Sequence, residues 1–232
     1  MEKQDCYFYH TMDLPGGETV EGDWDLRPVL KEYTGGVDFK RKRVIDIGTA
    51  TGALSFYAEK MGAEAVTSFD QSPDHPLNLL PCWDQSLLDI DRMKNGYRYC
   101  HERLGSSAVP IYGDIYDLPF HPPAHGGVDI AILGSVLLHL ENPFGALREA
   151  CRVADTVVVT EVLRAGMYTS FRPLMTKGND YLVWWYLPPD AISDMLVSLG
   201  FRATVPKSFM FTATSPKHGA CKLFCVVGKR IR

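Results

Sequence analysis

No apolar segment in this chain of 232 residues approaches the ~20 residues needed to cross a bilayer. Its N-terminus lacks the basic-then-apolar pattern of a secretory signal, so a cytoplasmic protein is expected. Paired C-x-x-C spacing is also missing. Cys6, Cys82, Cys100, Cys151, Cys221 and Cys225 are scattered, which suggests neither a zinc site nor a disulfide framework, and no metal is expected. Cys221 and Cys225 lie four apart in an apolar stretch, where strand alternation sends both to one face for packing. Excess positive charge is absent too. With a net charge of −4 and a pI of about 6.0, the chain lacks the electrostatic footprint of a strong nucleic-acid binder, although a local basic face is compatible with these values. Repeats and low-complexity tracts do not occur. The hydrophobic fraction of 46% is enough for one sizeable core.

The chain is organised around RVIDIGTATGALSFYAEKMGAEAVTSFD, from Arg43 to Asp70. Val44, Ile45 and Ile47 make a short apolar run of strand type, and Gly48 and Gly52 mark a turn. Leu54, Phe56, Tyr57, Ala58 and Met61 are then spaced for the buried face of a helix, Gly62 is placed to stop it, and Ala65 to Phe69 resume a strand. In such a βαβ unit glycines let the backbone approach a ligand, and the helix start offers unpaired N–H groups. Asp70, about twenty residues beyond the turn, sits where a carboxylate can accept hydrogen bonds from ribose hydroxyls. Asp46, two residues before Gly48, puts a negative charge beside the loop. That charge suits a cationic ligand better than a phosphate.

Asp46-Ile47-Gly48-Thr49-Ala50-Thr51-Gly52, with Asp70, resembles the first two motifs of the class I S-adenosylmethionine-dependent methyltransferases. Ala50 departs from their commonest glycine, and an alanine fits there if its φ stays negative and the ligand leaves room for a methyl. The resemblance implies S-adenosyl-L-methionine as cofactor, with Asp46, Gly48, Thr49, Ala50, Gly52, Asp70 and Gln71 around it. It also implies that Asp114, in the G-D-I-Y-D-L segment, meets the adenine amino group while Ile115 packs on the ring. A carboxylate accepting from an exocyclic amine makes that plausible in its own right, beside the alternative of a plain Asp-rich turn. The order L-G-S-x-L-L-H-L-x-N-P, the N-terminal D-L-P-G-G turn and the W-D-L-R helix start are similar to one branch of the family. That branch includes enzymes similar to bacterial wobble-uridine tRNA methyltransferases and small-molecule methyltransferases.

Elsewhere, residues 1–36 read as an N-terminal arm and cap helix. Tyr7, Phe8, Tyr9 and His10 either cover an apolar edge or form a lid. Asp23 caps a helix running to about Tyr33, ended by Gly35-Gly36. Lys40-Arg41-Lys42-Arg43 reads as a solvated loop, with an RNA-backbone contact as the alternative. Leu77 to Leu104 is helical, with a break expected at Asn95-Gly96. Ala108 to Tyr112 and Val128 to Leu133 read as strands, and Gly134-Ser135 ends the second of these at the ligand-binding rim. A helix follows through Arg152, then a strand from Thr156 to Thr160. A helix from Pro188-Pro189 to Leu199 and strands Phe201 to Phe211 and Leu223 to Val227 complete the chain. The expected architecture is α/β: a doubly wound, mostly parallel seven-stranded sheet of Rossmann-like methyltransferase type, with an antiparallel edge and an N-terminal lid. Residues 37–232 would be the catalytic domain, with an aromatic insertion at 164–187.

Methyl transfer from a sulfonium is an in-line displacement, so alignment and water exclusion dominate. Where the acceptor must lose a proton, His139 is the first candidate base, followed by Glu161 and His10. Tyr9, Arg164, Tyr168, Trp184 and Trp185 are the candidate substrate residues, with core completion as the alternative for the aromatics. A methyltransferase of a small molecule, aromatic or carboxylate-bearing among the candidates, is the leading expectation. An RNA-modifying enzyme and a cofactor-binding protein that transfers no methyl are the alternatives.

Overall fold

The computed structural model describes residues 1–72, 89–163, 172–173, 183–204, 211–215 and 219–231. Strands β1 (Met12–Asp13) and β2 (Thr19–Val20) and helix α1 (Leu30–Tyr33) make up the N-terminal region. Then come β3 (Arg43–Ile47), α2 (Ala53–Lys60), β4 (Ala65–Asp70), α3 (Ile90–Leu104), β5 (Val109–Tyr112), α4 (Pro122–His125) and β6 (Val128–Gly134). The remainder is α5 (Pro143–Val153), β7 (Ala154–Val162), β8 (Arg172–Pro173), β9 (Trp185–Tyr186), α6 (Pro189–Ser198), β10 (Phe201–Ala203), β11 (Phe211–Ser215) and β12 (Gly219–Arg230).

The main sheet has the order β10-β12-β7-β6-β3-β4-β5, with β11 also pairing β12. From β5 to β7 neighbouring strands are parallel, and β12 runs antiparallel to β7, β10 and β11. This is the expected doubly wound sheet with an antiparallel edge region, with eight strands among the described residues rather than seven because β11 adds to β12. The chain leaves β3 toward β4 and leaves β6 toward β7, in opposite directions across the sheet. The two departing connections open a crevice at the strand tips, where this class of fold holds its ligands.

Both faces of the central strands are covered, which explains their nearly continuous apolar runs. Ile45, Ile47, Leu133, Val157 and Val159 pack with α5 and α6 on one face, while Val44, Ile132 and Val158 pack with α1 and α2 on the other. Each such aliphatic burial stabilises the fold by roughly 1.5–3 kcal/mol. Cys225 is fully buried on the second face with Cys221 packed beside it, in line with the packing role expected of this pair.

Three local expectations are corrected. The helix from Asp23 to Tyr33 is instead a 3-10 turn at Arg27–Val29 followed by the single turn of α1. Pro28 has no N–H to give and disfavours helical geometry in the residue before it. Asp23 is buried and accepts a hydrogen bond from the Tyr7 hydroxyl rather than capping a helix. The break at Asn95-Gly96 is absent, because α3 runs through it. A Cβ on Gly96 would lie 2.3 Å from the Tyr7 carbonyl oxygen. That glycine serves a close approach of the arm rather than a turn. Finally, β10 ends at Ala203, short of the expected Phe201 to Phe211 strand. Residues 205–210 lie outside the described residues.

The arm is bound to α3 through its backbone. Tyr7 N donates to Arg92 O at 2.8 Å, Arg92 Nη2 donates to the carbonyls of Gln4 and Cys6 at 2.9 and 3.0 Å, and Asn95 Nδ2 donates to Asp5 O at 3.1 Å. Cys6, Phe8, Met12, Leu14 and Val20 share a buried cluster with Ala53 and Phe56 of α2 and Tyr97, Tyr99 and Cys100 of α3. The arm thus covers an apolar edge. Residues 40–43 are exposed at the N-terminal end of β3, as expected of a solvated loop. No helix among the described residues is long and apolar enough to cross a membrane.

Candidate functional site

The turn after β3 rests on a buried hydroxyl network. Asp46 is fully buried, and its Oδ2 accepts from Thr49 Oγ1 at 2.7 Å and from Ser55 Oγ at 2.8 Å. Ser55 Oγ also accepts from Ser68 Oγ at 2.7 Å, and Ser68 Oγ accepts from the Tyr97 hydroxyl at 2.8 Å. The network therefore joins β3, α2, β4 and α3 beneath one loop. Asp46 Oδ1, also buried, has no hydrogen-bond partner among the described residues. Burial pushes the Asp46 carboxyl up to about 6, against the pull of the Thr49 and Ser55 hydroxyls.

Above this floor, Gly48 and Gly52 have φ of 77° and 89°. A Cβ on Gly52 would lie 2.4 Å from the Phe56 ring, so position 52 requires glycine both for its backbone and for its space. Ala50 overturns the expectation of a negative φ: it sits at +50°, in the left-handed region. For an L-residue with a Cβ this costs roughly 1–2 kcal/mol. Part of what holds it there is the tip of β4, because Ala50 N donates to Asp70 Oδ2 at 2.9 Å. Asp70 Oδ1 accepts from Gln71 N at 2.7 Å. Burial raises the Asp70 carboxyl, while the Gln71 amide, the Lys94 charge and the Ala50 amide draw it down. The structure thus joins Asp46, Gly48, Thr49, Ala50, Gly52, Asp70 and Gln71 in one wall.

The flanking positions meet this wall from two sides. Gly113 N donates to Asp70 O at 2.9 Å, which seats Asp114 next to the β4 tip. Asp114 is exposed and its Oδ1 accepts from Tyr116 N at 2.9 Å, while Ile115 is buried in the core cluster that includes Phe69. On the other side, a Cβ on Gly48 would lie 2.8 Å from Val136 Cγ2, so the segment after Gly134-Ser135 touches the loop. Ser135, at φ 53°, donates its N–H to Thr160 O at 2.7 Å, and its Oγ accepts from the Tyr33 hydroxyl at 3.2 Å.

The rim beyond β6 is built from distant segments. Leu137–His139 forms a 3-10 turn. Glu161, 1% exposed, lies against it and accepts from Leu137 N at 2.9 Å. Burial pushes the Glu161 carboxyl up to about 8, opposed by the amides of Leu137, Leu138 and Val162. His139 is half-buried on that turn. Trp184 N donates to Leu138 O at 2.7 Å, and Trp185 Nε1 donates to Glu141 O at 3.0 Å, which docks one tryptophan onto that turn and the other onto the segment just after it. Tyr186 packs in a small buried cluster with Leu138 and Val183. His10 is held by the arm against the glycine loop, where Thr51 Oγ1 accepts its N–H at 3.2 Å. Burial lowers the His10 imidazole to about 4. Tyr9 packs edge-on against His10 with ring centroids 4.9 Å apart, and burial raises its hydroxyl to about 12. Arg164 and Tyr168 lie outside the described residues.

Sequence reading missed Tyr33, Ser55, Ser68, Lys94 and Tyr97. Ser55 and Ser68 did leave a signal. Each is a polar residue at a position whose periodicity calls for burial, one on the inner face of α2 and one inside β4. Tyr33, Lys94 and Tyr97 left none, because each reaches the site across a tertiary contact.

No family profile and no curated protein matches the chain. Solved structures do. The N-terminal domain of EvdMO1 with SAH bound is 15% identical, covering 99% of this chain and 94% of that one at a TM-score of 0.64. The Burkholderia thailandensis 1,6-didemethyltoxoflavin-N1-methyltransferase with bound 1,6-didemethyltoxoflavin and S-adenosylhomocysteine is 15% identical, with 89% and 78% covered and a TM-score of 0.57. Magnesium protoporphyrin IX methyltransferase from Synechocystis PCC 6803 with bound SAM is 16% identical, with 89% and 78% covered and a TM-score of 0.55. Together with the strand order and the glycine turn at its reversal point, these likenesses show that the chain has the fold of the class I S-adenosylmethionine-dependent methyltransferases.

Proposed function

We propose that the protein transfers a methyl group from S-adenosyl-L-methionine to a small-molecule acceptor. The observation that carries this reading is Ala50 N bound to Asp70 Oδ2 above the buried Asp46, at the point where the strand order reverses. The residues suit a cationic adenosine cofactor. Asp46 Oδ1 is a buried acceptor without a donor among the described residues, an arrangement that costs roughly 1–3 kcal/mol until a donor arrives. Each Asp70 oxygen accepts one backbone N–H, and its second lone pair stays available for a ribose hydroxyl. Asp114 and Ile115 would take the adenine side, and Gly134 and Ser135 the methionine side of the crevice.

Bound there, the cofactor supplies a methyl group on a positively charged sulfur. The protein's task is alignment, which can contribute on the order of 7–11 kcal/mol. Trp184, Trp185 and Tyr9 form the acceptor wall in this reading, with residues 164–187, including Arg164 and Tyr168, as the substrate-side insertion to the catalytic unit 37–232. His139 is the proposed base for acceptors that lose a proton. Glu161, about 8 and so mostly protonated at neutral pH, positions the turn that carries His139. His10, lowered to about 4, is neutral and packs the loop.

The small-molecule reading is favoured over RNA by placement. Lys40 to Arg43 sit at the start of β3, and the glycine loop at its end, so the basic run faces away from the crevice.

Calorimetry with S-adenosylmethionine tests the reading, followed by mass spectrometry for S-adenosylhomocysteine with candidate acceptors. Cofactor binding with product formed on a small aromatic or carboxylate-bearing acceptor is expected. Salt-sensitive RNA binding with turnover would move the assignment to RNA. Binding with no turnover on any acceptor would make the protein a non-transferring cofactor binder. In the same assay, turnover of His139→Ala that matches the parent at every pH would remove His139 as the base.

A further inference from the structure

Lys94 is 4% exposed, an uncommon place for a lysine. It lies on the inner face of α3, one turn before Tyr97, and its ammonium reaches the strand tips. Nζ donates to the Gln71 carbonyl and stands 3.9 Å from the centroid of the Tyr112 ring. Gln71 follows Asp70 directly, and Tyr112 is the β5 residue paired with Asp70 across the sheet. The ammonium is therefore bracketed by the neighbours of the one carboxylate assigned to the ribose. A hydrogen bond to a carbonyl and a cation–π contact contribute to compensating for its desolvation.

We propose that Lys94 is a positioning residue for cofactor binding: from α3 it fixes the β4 tip and keeps a positive charge beside the strand end that carries Asp70. This rests on the methyltransferase reading above. Several charged and titratable groups act around this carboxylate. Asp46 of β3 and Asp70 repel each other, and the Tyr112 hydroxyl of β5 is raised by burial, lowered by Arg98 of α3 and raised by Asp70. Among the groups acting on Asp70 itself, burial raises its carboxyl, and Lys94 is the side-chain charge that opposes the rise beside the Gln71 and Ala50 amides. Removing that charge leaves the two amides, among the described residues, against burial. Asp70 would then take up a proton at a higher pH, and cofactor affinity would gain a pH dependence beyond that of the parent, in which Asp46 also titrates, at about 6.

The test is calorimetric titration of the full chain with S-adenosylhomocysteine from pH 5.5 to 8.5, for the parent, Lys94→Met and Lys94→Arg. Lys94→Met keeps the length and apolar stem, and Lys94→Arg keeps the charge. The expected result for Lys94→Met is affinity that falls progressively below that of the parent as pH is lowered toward 5.5. That deficit should close toward pH 8.5 as Asp70 ionises, while Lys94→Arg follows the parent. A Lys94→Met deficit that is the same at every pH, or no deficit, overturns the proposal, since a merely structural role would produce the first. If Lys94→Met fails to fold, Lys94→Gln carries the same comparison, and carbon-detected NMR titration of Asp70 reads its protonation without ligand. Asp70→Ala separates the two levels. Unchanged affinity in Asp70→Ala removes the functional reading itself, whereas lost affinity there with parallel Lys94→Met curves removes only the role of Lys94.

Discussion

The wall around Gly48 and the wall around His139 are assembled over different distances along the chain. In the first, the partners of Asp46 are three and nine residues away and those of Asp70 are one and twenty. In the second, Ser135 is held by Tyr33 from 102 residues away, Thr160 reaches Tyr33 across 127, and Glu161 reaches Leu137 across 24. A wall made within one βαβ unit forms with that unit. A wall made of long-range contacts exists only once the sheet is complete, because loop closure must precede those contacts. The cofactor side is accordingly a local motif, and the acceptor side is a product of the whole fold.

The largest effect that probes this contrast is expected from Gly52→Ala. A side chain there meets the Phe56 ring at 2.4 Å on a backbone at φ 89°. The summed strain and overpacking should cost about 3 kcal/mol, read as a lower urea midpoint. An unchanged midpoint would mean that the local wall is looser than its geometry states.

Asp70→Ala comes next. It removes charged hydrogen-bond acceptors, so cofactor affinity should fall about 100-fold, or about 2.7 kcal/mol, a larger loss than that read from the unfolding midpoint, where Ala50 N and Gln71 N lose this acceptor. Equal losses of affinity and stability would break the claim that this acid serves the ligand.

On the acceptor side the sharper probe is pH. The folded Glu161 carboxyl, at about 8, lies above the ordinary carboxylate value. Between roughly pH 4.5 and 8 the native state therefore holds a proton that the unfolded chain has released, and this group makes stability fall as pH rises through that window. Glu161→Gln keeps an acceptor for Leu137 N but cannot ionise. It should flatten the profile and exceed the parent by on the order of 2 kcal/mol near pH 8, measured by urea unfolding across pH. A parallel profile would show that the carboxyl is not held as buried as the structure places it.

The smallest effect is expected from Ala50→Gly, which relieves the φ of +50°. A gain of about 0.5–1 kcal/mol is expected, reduced from the full strain by the freer unfolded chain.

Much of the fold and half of the site were legible for the same reason. Periodicity reports burial, and the β3 to β4 segment contains its own partners, so Gly48, Gly52 and Asp70 could be placed from spacing alone. Ala50 was misread because φ at one residue depends on the Asp70 carboxylate that its amide meets. Gly96 was misread because a glycine that admits a neighbouring backbone and one that ends a helix look identical until the neighbour, here the Tyr7 carbonyl, is known. Glu161 was legible as an acid near the rim, but not as one buried under Leu137.

By itself the sequence determined the βαβ unit, its glycine turn and the acid that closes it, because all are set by contacts within some thirty residues. The tertiary structure alone decided that Ser55, Ser68 and Tyr97 converge on Asp46, that Lys94 reaches the Asp70 strand tip, and that the arm lies across α3. Those choices depend on which strands become neighbours and which polar groups are then buried together, and no local pattern encodes that outcome.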